Sequence, residues 1–405
     1  MDYIYFLFII EILLFLFSYT TSDKDVLSPS CTMCIMFMLS TVFAILNIEK
    51  WDIMLSFASL SILSSGILVF CISNCVFKRC FLKDDIGESL LSKECYSVNP
   101  ISDQPQICLL LLFLVFNLLV SAWYYLAVNR FVGNSGLSLG SLAAQYREIR
   151  TAELAKGVSA DAEGALLNQL LKIVKASGYV AAFFLVKPIS DGNRMSFFRK
   201  MILILIVASS LFQLVLVASR SGFIMFFCFV LIVAYIMWNQ KYKWENDLSR
   251  NIVGIGLLGI VIGIPAFYYS ASLIGRSSNI GIWDYVSLYI GAPIQLFDEY
   301  VSAPVARLSF GEESLVGISK LLSFLGFGMM SKSYNLEGRI LGQYDSNVYT
   351  FFRRPLHDFG LIGMYIFTIL VALLFHIFTM ERLLKKKKML ILTDGFWCMD
   401  IYTIG

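Results

Sequence analysis

The sequence predicts an all-α polytopic integral membrane protein, with about 9–11 transmembrane helices at the length a bilayer demands. Three observations predict it. Of 405 residues, 58% are hydrophobic and only 15% charged, with a mean hydropathy of +0.73; a soluble domain carries roughly a quarter charged residues and under half apolar ones. The apolar residues come in runs of about 20, the number an α-helix needs to cross a hydrocarbon core about 30 Å thick. The charges collect between those runs, in short basic loops and in two long polar segments, 130–167 and 271–358. Length alone would suit roughly two or three soluble domains, but this distribution describes one membrane unit.

Spans are expected at 3–19, 31–48, 53–77, 107–128, 169–187, 201–218, 222–239, 251–270 and 359–380. The first contains Glu11 and is followed by TTSDKD; it lacks the basic start and small-residue cleavage site of a signal peptide, so it reads as a retained span. The span at 169–187 is the least apolar, with Lys172 and Lys175 at its start. Those lysines either snorkel to the interface or mark a helix lying along the membrane surface. The tail MLILTDGFWCMDIYTIG, broken by Thr393-Asp394-Gly395, is too short for a further span and reads as a short end, natural or truncated. The chain thus divides into N-terminal helices (1–129), a first polar segment (130–168), central helices (169–270), a large polar segment (271–358) and a last span with a basic tail (359–405).

Orientation follows from lysine and arginine in the short loops. ERLLKKKK (381–388) is the most basic and is expected in the cytoplasm, together with 241–250, 187–200 and the segment 78–106. The two long polar segments then face the opposite side. Within the larger one, 282–301 and 313–330 have the pattern of amphipathic or interfacial helices. The first contains Gly291 and Pro293, which should bend or break it.

Nine cysteines are present, none in either long polar segment, so no disulfide scaffold is expected. Cys31 and Cys34 form a C-x-x-C, but inside an apolar run, where a thiol is a small buried hydrophobe. The net charge of +3 carries no nucleic-acid signal. The two histidines, His357 and His376, make no paired-histidine metal site, and HExxH and Walker-type motifs are absent. No cofactor and no metal are expected.

In VLVASRSGFIMFF (215–227), Arg220 stands between two uncharged runs, at the outer face on this topology. It has two readings. One is a turn, Ser-Arg-Ser-Gly, supplying polar groups and a permissive backbone. The other is an anion site, since a guanidinium meets phosphate through forked hydrogen bonds and ionisable groups at membrane depth tend to line a site. The outer segments supply further arginines: Arg147 and Arg150 on one helix face in the first, and Arg276, Arg307, Arg339, Arg353 and Arg354 in the second. Acids Asp298, Glu312, Glu313, Asp345 and Asp358 accompany them, with lysine scarce. The pattern suits a phosphorylated lipid; for each member taken singly, an ordinary surface ion pair is the alternative.

Three places in the chain resemble the bacterial O-antigen, or oligosaccharide repeat-unit, polymerases of the inner membrane. They are the SR-x-G junction Ser219-Arg220-Gly222, YIGAPIQLFDEY (289–300), and NVYTFFRRPLHDFGLIG (347–363) leading into the last span. The layout of short loops on one side and two polar segments on the other is similar as well. Paired R-x10-G patterns described for some members are approximated here by Arg147/Gly157, Arg307/Gly317 and Arg353/Gly363, with nine residues between. The related O-antigen ligases have a histidine immediately before the asparagine of the last motif. Ser346 stands there in this chain, which favours polymerase over ligase.

The resemblance implies a C-type glycosyltransferase-like fold in a Gram-negative inner membrane, with the long segments periplasmic. It implies metal-independent transfer of a glycan from undecaprenyl pyrophosphate onto an incoming lipid-linked repeat unit, with a chain-length regulator as partner. Lipid pyrophosphate already leaves readily, so the enzyme has to stabilise its charge and orient an acceptor hydroxyl. Arg220 with Arg276 or Arg353 is expected at the pyrophosphate, and Arg147, Arg150, Arg339 and Arg354 around the substrate. Asp345 or Asp358 would assist the acceptor, with Tyr289, Asn347 and Tyr349 shaping the sugar site. Asp358, just before Gly360, is also a candidate helix cap. A transporter would instead need polar groups along the spans, where Glu11 is nearly alone.

Overall fold

The computed structural model describes residues 2–22, 26, 28–83, 105–133, 136–155, 164–188, 195–217, 220–241, 268, 280–307, 310–316, 318 and 336–384. The expected span at 251–270 and most of the expected helix at 313–330 lie outside these residues. Among them the chain is an all-α, multi-pass membrane protein: six helices are long and apolar enough to cross a bilayer, and two shorter apolar helices accompany them.

The elements in chain order are α1 (Tyr3–Thr21), α2 (Pro29–Ile45), α3 (Ile48–Trp51), α4 (Phe57–Lys83), α5 (Ile107–Val132), α6 (Leu139–Ala155) and α7 (Ala165–Val186). They continue with α8 (Phe197–Leu216), α9 (Arg220–Lys241), α10 (Ile282–Ile290), α11 (Ala292–Ser302), the strands β1 (Arg339–Leu341) and β2 (Tyr344–Ser346), and α12 (Arg353–Leu384). The chain forms two compact units, one from Met1–Ser97 with Trp283–Lys385 and one from Val98–Ile282.

In the first unit α1, α2, α4 and α12 pack together, so the first spans of the chain meet its last. Ser28 starts α2 by accepting from Cys31 N at 3.4 Å, with Pro29 in the first turn, where its missing N–H costs nothing. The expected span 31–48 is shorter than its hydropathy suggests. α2 ends at Ile45, α3 takes a single turn, and Asp52 closes that turn at φ 49°. Ile4, Leu7, Leu63, Ile67, Phe297, Phe352 and Met364 form the core. Gly66 makes room for the Phe352 ring: a Cβ there would stand 2.8 Å from it. Cys34 and Cys71 lie 3.7 Å apart as buried thiols, and none of the described cysteines forms a disulfide. Glu11 is fully buried and accepts from Thr41 Oγ1 at 2.9 Å.

The helix expected over 282–301 breaks where Gly291 and Pro293 stand, into α10 and α11. The break docks on the end of α2. A Cβ on Gly291 would lie 2.8 Å from Ala44 N, and Ser40 Oγ donates to Ile290 O at 2.6 Å. Asp298, buried on α11, accepts from Ser56 N at 2.9 Å and from Ser56 Oγ at 2.5 Å, supplying an acceptor at the start of α4. The β1–β2 hairpin turns at Gly342, φ 58°, the positive angle that two-residue hairpin turns need.

In the second unit α8 packs on α5 and α7, with α6 and α9 at its sides. Gly178 lets α7 close on Ser210 of α8, a small-residue contact of the kind that joins helices in lipid. Tyr179 meets the edges of Phe226 and Phe229 at 5.2 and 4.9 Å. The span with Lys172 and Lys175 is a helix of 22 residues, and Lys172 is exposed beside Gln169 Oε1 at 3.2 Å. Large apolar side chains such as Leu13, Leu112, Leu119 and Ile362 face outward, as lipid-facing surfaces require.

Candidate functional site

The site is built from four pieces of the first unit. The head of α12 contributes Arg353, Arg354, His357 and Asp358, which fall on adjoining faces at spacings of one, four and five residues. The turn Gly311–Val316, opened by Gly311 at φ 72° and closed by Leu315 N on Gly311 O at 3.0 Å, contributes Glu312 and Glu313. Glu337 stands before β1, and Tyr300 comes from α11. Arg353, His357, Asp358, Glu312 and Glu313 are all buried.

Arg353 is fully buried, with its two terminal nitrogens held by carboxylates: Nη1 by Glu313 Oε2, and Nη2 by Glu337 Oε2 at 2.5 Å. Its guanidinium also lies over Tyr300, 4.4 Å from the ring centroid, and over Tyr349 at 5.2 Å. Both ring faces favour a cation there. His357 sits between two partners. Nδ1 is 3.1 Å from Tyr300 Oη, Nε2 is 2.9 Å from Glu312 Oε1, and Glu313 Oε1 is 3.7 Å from that same nitrogen. With Nε2–H donated to Glu312, Nδ1 accepts from the Tyr300 hydroxyl and the imidazole is satisfied on both sides.

Asp358 does not cap its own helix. Its carboxylate accepts from Glu313 N at 3.2 Å and Ser314 N at 2.5 Å, so it caps the 311–316 turn across the unit. The main-chain oxygen of Asp358 accepts from Arg307 Nη1 at 2.8 Å, and Glu313 O from Arg354 Nη1 at 3.2 Å. Arg339 donates to Glu299 O at 2.9 Å and Ala303 O at 2.7 Å, closing the last turn of α11 where bare carbonyls and the helix dipole favour a cation.

Burial pushes the Glu313 carboxyl above its ordinary value, against the pull of Arg353 and His357. Burial also acts on Glu337, but hydrogen bonding and charge from Arg353 outweigh it and hold that carboxyl below its ordinary value. A carboxylate with a depressed folded value stabilises the fold above its unfolded value and loses that contribution as the pH falls through the folded one. Glu337→Gln is therefore expected to melt below wild type at pH 7, with the gap closing as the pH falls below about 4. Melting curves of both proteins in detergent across that range check it.

The residues expected to bind substrate fall in several places. Arg339, Tyr349, Arg353, Arg354 and Asp358 come together in this cluster. Asp345 and Asn347 are exposed on and just after β2, and Tyr289 rests on Tyr285 with ring centroids 5.0 Å apart. Arg147, Arg150 and Arg220 belong to the second unit. The first two are half-buried on α6, next to the fully buried Tyr146, and Arg220 is the first residue of α9, three residues after the Val217 cap of α8. Arg276 and the Arg220 side chain lie outside what is described. No family model, curated protein or solved structure matches this chain. Its function therefore has to be argued from the geometry.

Sequence reasoning missed His357 and the Glu312–Glu313 pair as a unit. The partners are 45 residues apart, and such a separation leaves no local pattern. A fainter signal was present: Arg353 and His357 are four apart, on one face at the head of a span.

Proposed function

We propose that the chain is a glycosyltransferase that polymerises lipid-linked oligosaccharide repeat units, working at the outer face of a Gram-negative inner membrane. One observation carries the reading: Arg307, Arg339, Arg353 and Arg354 gather where the apolar helix α12 begins. A polyprenyl pyrophosphate keeps its lipid among apolar helices and its anionic head at that level, where guanidinium groups serve it best. In the transfer, the bond from the anomeric carbon to the pyrophosphate oxygen breaks and one to the acceptor hydroxyl oxygen forms. The hydroxyl proton passes to a carboxylate or to water. Metal is not needed at the leaving group, because arginines balance its charge.

The roles divide by exposure. Arg353 organises the site from within, with its donors on Glu313 and Glu337. Arg307, exposed and donating from Nη1 to a neutral carbonyl, faces the solvent side. Asp345 and Asn347 are the exposed groups suited to an acceptor sugar. Within the second unit, Arg220 at the start of α9 and Arg147 on α6 are the residues suited to bind an anion, and a chain-length regulator is the expected partner.

The test is complementation of a polymerase-deficient strain of matching serotype, scored by the lipopolysaccharide ladder. Wild type is expected to restore the ladder. Arg220→Ala at equal expression should give only single-repeat bands. An unchanged ladder with Arg220→Ala would reduce that arginine to a turn residue. In a deletion strain, bare core in place of single-repeat bands would indicate a ligase and overturn the polymerase reading.

A further inference from the structure

Two carboxylate oxygens face one imidazole nitrogen at the head of α12. Glu312 Oε1 is 2.9 Å and Glu313 Oε1 3.7 Å from His357 Nε2, and the three atoms all lie within 4.8 Å of one another. A neutral imidazole has one hydrogen to offer at that nitrogen, enough for one of the two. Arg353, the only buried arginine or lysine among the described residues, has its terminal nitrogens on Glu313 Oε2 and Glu337 Oε2. Three carboxylates, Glu312, Glu313 and Asp358, are buried together there.

The geometry points to a divalent transition-metal site formed by His357 Nε2, Glu312 Oε1 and Glu313 Oε1, which ties the 311–316 turn to the head of α12. Zinc holds nitrogen and oxygen ligands at about 2.0–2.2 Å, which sets tetrahedral neighbours roughly 3.3–3.6 Å apart. The two nitrogen–oxygen separations, 2.9 and 3.7 Å, straddle that interval, and the two carboxylate oxygens lie within 4.8 Å of each other, so side-chain adjustment alone seats the ion. One imidazole with two carboxylates selects a borderline ion such as zinc over magnesium or calcium, which prefer oxygen alone. The other ring nitrogen already has its partner: with Nε2 on the ion, the proton moves to Nδ1, which then donates to Tyr300 Oη 3.1 Å away, the kind of outer partner that fixes a ligating histidine. Water takes the fourth place. The ion is a clamp between two elements, apart from the exposed arginine-rich face, and this inference does not rest on glycosyl transfer.

The test uses full-length protein in detergent, stripped with chelator, desalted, incubated with Zn2+, desalted again and assayed for bound zinc and for melting temperature. About one zinc per chain is expected in wild type, with a melt raised by the ion. Glu312→Gln should lose zinc at least about ten-fold more readily, and Tyr300→Phe should weaken it by about 10–100-fold. Wild type that retains no zinc and melts unchanged in its presence overturns the site and leaves His357 holding a proton between the carboxylates. Zinc retained equally by folded Glu312→Gln also overturns it, since thiols such as Cys80 would then be the ligands. Where Glu312→Gln fails to fold, Tyr300→Phe decides: weaker zinc supports the site, and unchanged zinc refutes it. Each readout is binding, so none depends on whether the chain polymerises sugars.

Discussion

Arg353→Met is expected to destabilise the protein by about 3–5 kcal/mol at neutral pH, the cost of breaking a buried ion pair from one side. The side chain it removes is fully buried, holds Glu313 and Glu337, and lies over the rings of Tyr300 and Tyr349. Methionine restores much of the volume but none of the charge, so two carboxylates are left facing each other without a cation. The Glu313 carboxyl, already pushed up by burial, would then take up its proton at a still higher pH. The sign of the pH effect follows. A raised carboxyl favours the folded state below its unfolded value and loses that advantage as pH rises through the folded one. The deficit of Arg353→Met should therefore be largest near pH 8 and shrink towards pH 5 (about one unit above an ordinary glutamate). Adding Glu313→Gln and Glu337→Gln should recover part of the loss, because removing a whole buried ion cluster costs much less than orphaning half of it. Melting curves of the single and triple variants at both pH values check this. A single variant that melts with wild type would show that the cluster contributes little to stability.

The spans were legible because a hydrophobic run is a local property. Six of the expected runs appear as helices long enough to cross, and even Lys172 is accommodated by pointing outward. α2 departs for an equally local reason: Asn47 and the single turn Ile48–Trp51 end it at 17 residues, although the apolar composition runs on. The break at Gly291-Pro293 was legible from residue chemistry. The docking of that break on Ala44 was not, since hydropathy carries no information about which helix meets which.

The site was legible in composition but not in connectivity. Arginines and acids in 271–358 announced a charged cluster, yet their division of labour depends on burial. Arg353 looks in sequence like Arg354, its neighbour. One is enclosed by two glutamates and two tyrosines, and the other is half-buried and donates to a main-chain oxygen. Asp358 reads as a cap for the helix it precedes, and it does cap, but on a turn 45 residues away. His357 reads as isolated because its partners, Tyr300 and Glu312, come from a helix and a turn that only tertiary packing brings to it.

Gly360→Ala is expected to damage the protein, although the same substitution inside an uninterrupted helix would favour the helix by about 1 kcal/mol. Gly360 has φ 68° and ψ −172° within α12, a conformation reached essentially by glycine alone. A Cβ there would meet nothing within 4 Å, so the cost is backbone strain, about 1–3 kcal/mol, with no clash added. The strain is set at the joint between the site-bearing turns, 353–359, and the span that follows. To relieve it, the helix would have to straighten, turning Arg353, His357 and Asp358 away from the 311–316 turn. Gly363 offers a second handle on the same joint. The bend brings Phe359 Cβ into the space a Cβ on Gly363 would occupy, so Gly363→Ala opposes the bend by contact. Both substitutions should therefore lower the melting temperature in detergent and shorten or abolish the lipopolysaccharide ladder in the complementation strain. Gly133→Ala, also at a positive φ of 72° but at the end of α5, serves as the control: it should cost stability and leave the ladder intact. If Gly360→Ala were to raise the melting temperature instead, α12 would be a continuous helix and the cluster at its head would be held by its ion pairs alone.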